Sequence, residues 1–181
     1  MTGPALPNAS PAELRAALVW NLRAALNVAA LQCQFEPTLL TLDNYNAILK
    51  DHEVELRDAY GTLEKYFVRA HKTAKLGQTE LDKFGTRVYS GFSTVSGQLS
   101  FCQTAAAIGH DALFAKRGDF GDLAQQRMHE LRSSLQSWGE QLRRSGSPIT
   151  PMGALPQFGN DKCWKRDSYQ PKKCGALVAR R

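Results

Sequence analysis

The chain has 181 residues, 43% of them hydrophobic, which suits one globular domain and excludes wholesale disorder. Its net charge of +6 is concentrated: in residues 160–181, Lys162, Lys165, Arg166, Lys172, Lys173, Arg180 and Arg181 stand against Asp161 and Asp167, which places +5 in the tail and +1 in everything before it. A nearly neutral body with one short basic segment argues against nucleic acid as a partner. A spanning helix is also excluded, because the apolar stretch at 16–31 is interrupted by Asn21, Arg23 and Asn27 and falls short of the ~20 residues needed.

The opening "MTGPALPNAS" has no basic segment followed by an apolar one. It reads as a mature N-terminus with an initiator Met added, a signal peptide having been removed. Residues 1–9 are rich in Pro and Ala and are expected to be flexible. Ser10-Pro11-Ala12-Glu13 then starts a helix, since Ser10 can cap, Pro11 suits the first turn and Glu13 can return a bond to the Ser10 amide. At 100° per residue, Leu14, Leu18, Leu22 and Leu26 form one stripe with Ala25, Ala29 and Cys33. Trp20 and Asn27 lie on the other side, which either the fold or a partner must cover.

The clearest periodicity is Tyr45, Leu49, His52, Leu56, Ala59, Leu63, Tyr66 and Ala70, in steps of three and four. It predicts one long bundle helix over 39–74, stopped near Gly77, with surface pairs such as Glu53 and Arg57. A third helix follows from Gln78 to Ser93, with Leu81, Phe84, Val88, Tyr89 and Phe92 inward. "GFSTVSGQ" (91–98) is a turn by composition. A fourth helix carries Leu99, Cys102, Ala106, Gly109 and Leu113, and "KRGD" (116–119) breaks it. The fifth holds Leu123, Met128, Leu131, Leu135, Trp138 and Leu142. No strand-like alternation persists. The expected fold is all-α, a bundle of four or five helices over residues 10–145. Residues 146–181 form a Pro/Gly-rich basic segment packed on or extending from it.

The four cysteines allow three pairings. Cys163 and Cys174 flank a short loop, while Cys33 and Cys102 both lie on core faces of helices, so we expect Cys33–Cys102 and Cys163–Cys174. The alternative is that Cys33 and Cys102 are free core thiols in a reducing compartment. A tail pair would then serve no purpose, which favours an exported, periplasmic or extracellular protein. Zinc is disfavoured because the chain has no Cys-x-x-Cys and no His beside the tail pair.

Catalytic motifs are absent: there is no Gly-x-Ser-x-Gly, no phosphate loop and no Cys-x-x-Cys-His. No enzyme activity and no cofactor are therefore expected, with a small hydrolase the least favoured alternative. Of His52, His71, His110 and His129, only His52 falls on an apolar stripe. The ordinary explanation is a hydrogen-bonded core histidine; the functional one is a cofactor- or metal-binding bundle centred on His52. The tail offers Lys162, Trp164, Lys165, Arg166, Tyr169, Lys172 and Lys173 as a partner-binding set for an acidic protein or an anionic envelope surface.

Over "WNLRAALNVAALQCQFEPTLLTLDNYNAILKDHEVELRDAYGTLEKYF" (20–67) the chain resembles small uncharacterised exported α-helical proteins of Gram-negative bacteria. The resemblance covers the first two helices. It implies an envelope location and carries over no activity, cofactor or site residue. The expected function is an exported interaction or structural module acting through a helix face or the basic tail.

Overall fold

In the computed structural model the described residues are 4–71, 73–93, 98–136, 161–165 and 168–174. They fall into two compact units, residues 1–138 and 139–181. The first is all-α: α1 (Pro11–Gln32), α2 (Thr41–Asp51), α3 (Glu53–Ala70), α4 (Ala74–Ser90), α5 (Gln98–Phe114) and α6 (Phe120–Ser133), with a 3-10 turn at Pro37–Leu39. Among the described residues no helix is long and apolar enough to cross a membrane.

Helix α1 is the axis of this unit. Its capping box forms as expected: Ser10 Oγ accepts the Glu13 amide and Glu13 accepts the Ser10 amide at 2.7 Å. The helix is buried well beyond the leucine stripe, at Ala16, Val19, Asn21, Ala24, Val28 and Ala30 as well as Leu22 and Leu26. The reason is that α2, α3, α4, α5 and α6 all pack on it, and its alanines let those helices approach closely. Leu14, expected in the core, is instead 48% exposed. On the opposite side Trp20 is half-buried: it meets Tyr60 with ring centroids 4.9 Å apart, and the Arg23 guanidinium lies 4.6 Å over the indole. Leu6 and Ala9 pack on the core, and Tyr66 donates its hydroxyl to the Pro7 carbonyl at 2.9 Å.

The expected long helix over 39–74 is two helices, α2 and α3, meeting at His52 (φ −108°, ψ 19°). No Pro or Gly marks the break. Most of the apolar stripe survives it, but Ile48 and Phe67 are buried where Leu49 is partly buried and Ala70 exposed. The surface pair Glu53–Arg57 is present at 3.7 Å. Helix α4 begins at Ala74, capped by Thr73, and Gly77 lies inside it rather than stopping the helix before it. A Cβ at Gly77 would sit 2.8 Å from Val68 Cα, so α3 and α4 touch backbone to backbone there.

Helix α5 is turned relative to expectation. Cys102 and Gly109 are buried, but Phe101, Ala105, Ile108 and Ala112 complete the core face, and Leu99 is 54% exposed. A helix with apolar residues on most sides gives no firm phase to a periodicity argument. On α6, Met128 and Leu131 are buried, with Leu123 and Leu135 packed at the core edge. Trp138 and Leu142 lie outside the described residues, as does much of the expected turn at 91–98. Cys33, the C-cap of α1, is bonded to Cys102 in the first turns of α5. Cys33, on the leucine face of α1, is thus a staple between two helices.

In the second unit, a 3-10 turn (Asp161–Cys163) leads into β1 (Trp164–Lys165), which pairs antiparallel with β2 (Ser168–Tyr169) before the short helix α7 (Pro171–Cys174). The Cys163–Cys174 disulfide closes this hairpin.

Candidate functional site

Two of the residue sets singled out by the sequence are placed by the structure, and a third site was not foreseen. The basic set is built on the closed hairpin. Strand register puts Trp164 opposite Tyr169, and their rings meet edge to face at 5.4 Å. Tyr169 donates its hydroxyl to the Cys174 carbonyl at 2.9 Å, and the Gln170 amide donates to the Cys163 carbonyl at 2.8 Å. The disulfide, the ring pair and these two bonds give the loop a defined shape. Cys163 is buried, while Lys162, Lys165, Lys172 and Lys173 are exposed. Arg166 belongs to the same expected set but lies outside the described residues. These lysines all belong to one small disulfide-closed segment.

His52 sits at the break between α2 and α3 with its side chain 1% exposed. Its Nε2 lies 3.0 Å from the Ala112 carbonyl oxygen, which can only accept, so Nε2 carries a proton and donates it. Nδ1 has no hydrogen-bond partner and lies 3.9 Å from Glu55 Oε2. The ring also packs on Phe120 at 5.0 Å between centroids. One nitrogen is thus committed to the backbone of α5, and among the described residues no group of three His, Cys, Asp or Glu side chains could hold a metal ion. His52 and Glu55 line a cleft of about 620 Å³ with Asp51, Asp58 and Arg117.

The third site is a groove of about 500 Å³ between the N-terminal residues, α1 and α6. Its walls are mostly apolar: Leu6, Leu14, Leu18 and Met128. Arg132 and His129, one turn apart on α6, also line it, and no carboxylate does. Arg132 is held in place twice over. Its Nη2 donates to Asn21 Oδ1 at 2.7 Å, and its guanidinium lies 4.9 Å over the Phe92 ring. Asn21 is itself fixed, donating Nδ2–H to the Ala17 carbonyl at 2.7 Å. Burial pushes the Arg132 guanidinium below the usual arginine range, but it stays cationic at any ordinary pH. The sequence hid this site because Leu14 and Leu18 read as core positions, and nothing local connects Asn21 to Arg132.

All four cysteines are paired, which fits an oxidising compartment. Comparison with protein-family models, with curated proteins and with solved structures finds no match for this chain.

Proposed function

We propose that the protein is an exported helical interaction module, periplasmic or extracellular, that meets an acidic protein or an anionic envelope surface through its basic hairpin. The observation that carries this reading is the presentation of Lys162, Lys165, Lys172 and Lys173, all exposed, on one disulfide-closed loop. Like charges on one short closed loop repel one another, and an anionic counter-surface relieves that repulsion. Lysines suit such a surface because each is a compact charge that needs no fixed partner geometry. Near an anionic membrane a basic residue contributes about 1 kcal/mol, so Lys165, Lys172 and Lys173 together outweigh what one exposed ion pair provides. Trp164 and Tyr169 add ring faces of the kind that settle at a membrane–water boundary. The two disulfides support the exported location.

The test is cosedimentation of the full chain with vesicles containing anionic phosphatidylglycerol, beside vesicles of phosphatidylcholine alone and an immobilised acidic protein. Binding to either anionic target should weaken as salt rises from about 0.05 to 0.5 M, where the screening length falls to roughly 4 Å. The K162Q/K165Q/K172Q/K173Q variant should lose it. Equal retention of parent and variant would overturn the hairpin as the contact.

A further inference from the structure

The groove beside Arg132 offers a different chemistry from the hairpin. Its volume of about 500 Å³ lies in the range of small-molecule sites, ~300–1,000 Å³. Its walls offer Leu6, Leu14, Leu18 and Met128, so they favour an alkyl chain. Leu14 is 48% exposed, and an apolar side chain left half open inside an apolar groove gains by being covered.

The charge in the groove is one-sided. Among the described residues Arg132 has no carboxylate partner. A partly buried guanidinium without a counter-charge is costly, and an anion in the groove would remove that cost. Asn21 takes one donor of Nη2 and Phe92 supports one face, which leaves the remaining N–H groups of the planar fork for an acceptor. A fork of this kind matches the two oxygens of a carboxylate. His129, one turn earlier on the same helix, adds a second group that can donate to an anion.

We propose that this groove binds a fatty acid of medium chain length, with the carboxylate on Arg132 and the alkyl chain along Leu14, Leu18 and Met128. The groove residues named all belong to the first unit, and the chain is then a carrier or sensor of an anionic amphiphile.

The experiment is calorimetric titration of the full, disulfide-intact chain with decanoate, decanol and decyltrimethylammonium, each below its micelle concentration. Decanoate should bind at one site, and decyltrimethylammonium should bind about tenfold more weakly or not at all, since a charge-assisted bond to arginine is lost. Arg132→Gln should weaken decanoate by about tenfold while leaving decanol nearly unchanged. Leu14→Glu, at a half-exposed position that tolerates a polar side chain in the fold, should abolish decanoate binding even if the Arg132 variant misfolds. The K162Q/K165Q/K172Q/K173Q variant should bind decanoate as the parent does. No decanoate binding, equal affinity for the cationic amphiphile, an unaffected Leu14→Glu variant, or loss of binding in the lysine variant would each overturn the proposal.

Discussion

Glu55 on α3 caps the helix that begins at Phe120: its Oε1 accepts the Gly121 amide at 2.9 Å and its Oε2 accepts the Phe120 amide at 3.1 Å. Asp119 stands at the position where a local cap would be, yet its side chain makes no cap bond. The first amides of α6 are thus satisfied by a residue on another helix, and the negative charge sits where the helix dipole favours it. Arg15 completes the junction. It pairs with Asp122, lies 3.8 Å from Glu55, and donates to the Gly118 carbonyl at 3.3 Å, in a turn where Gly118 takes the left-handed φ of 98°.

It follows that Glu55→Ala should cost about 1–2 kcal/mol, the usual cost of losing a cap, while Asp119→Ala should cost almost nothing. Urea unfolding of the two variants measures the difference. A larger cost for Asp119→Ala would show that the cap is local after all.

The contact of α3 with α4 makes a paired prediction at two glycines. Gly77→Ala places a methyl 2.8 Å from Val68 Cα and 2.9 Å from the Phe67 carbonyl oxygen, so backbone must move. We expect a loss of about 1–3 kcal/mol, as for other overpacked sites. Gly61→Ala meets nothing within 4 Å in the interior of α3 and should gain roughly 0.5–1 kcal/mol from helix propensity. Thermal unfolding should move in opposite directions for the two.

Acid should destabilise the first unit. Glu13 is held below the usual carboxylate range by the Ser10 backbone amide and then by Arg69, whose Nη2 lies 2.9 Å from both its oxygens. Asp122 is held low by its hydrogen bond from Arg15. A folded-state value below the unfolded one means protons bind the unfolded chain more tightly. Their contribution is therefore whole above the ordinary values of 4.5 for Glu13 and 3.8 for Asp122, and is lost as the pH falls through the lowered ones. Urea midpoints taken from pH 7 to pH 3 should stay level and then drop, and Glu13→Gln should make the drop shallower. A steeper drop in that variant would contradict the assignment.

The two disulfides should differ in worth. With a sequence separation of 69, the Cys33–Cys102 link should contribute about 4 kcal/mol on the chain-entropy model, against about 3 kcal/mol for Cys163–Cys174 at a separation of 11. Replacing Cys33 and Cys102 together by Ala should lower the guanidinium midpoint more than replacing Cys163 and Cys174. Peptide mapping without reduction should recover these two links and no Cys33–Cys163 peptide.

By itself the sequence determined the all-α class, the start of α1 at its capping box, and both cysteine pairings. Each follows from a signal that is local or exhaustive: a side chain three residues from the amide it binds, or four thiols with few ways to pair. Leu81, Phe84, Val88 and Phe92 were likewise legible as core, because the polar positions between them leave the face unambiguous. The lysines of the hairpin were legible as a set for the same reason, since the disulfide that gathers them spans so short a loop.

Only the tertiary structure decided the rest. The break at His52 has no local marker; it coincides with a ring that reaches the Ala112 carbonyl on a helix 60 residues away. The phase of α5 was undecidable from a segment with apolar residues on most sides, and was settled by what α1, α2 and α6 left to be filled. Glu55 became a cap, and Leu14 a groove wall, through neighbours distant in the chain. The Arg132 site is the extreme case, since its guanidinium is positioned by Asn21 from 111 residues away. Periodicity states which face of a helix is apolar, but packing alone determines how much of that face is covered and which polar groups meet beside it.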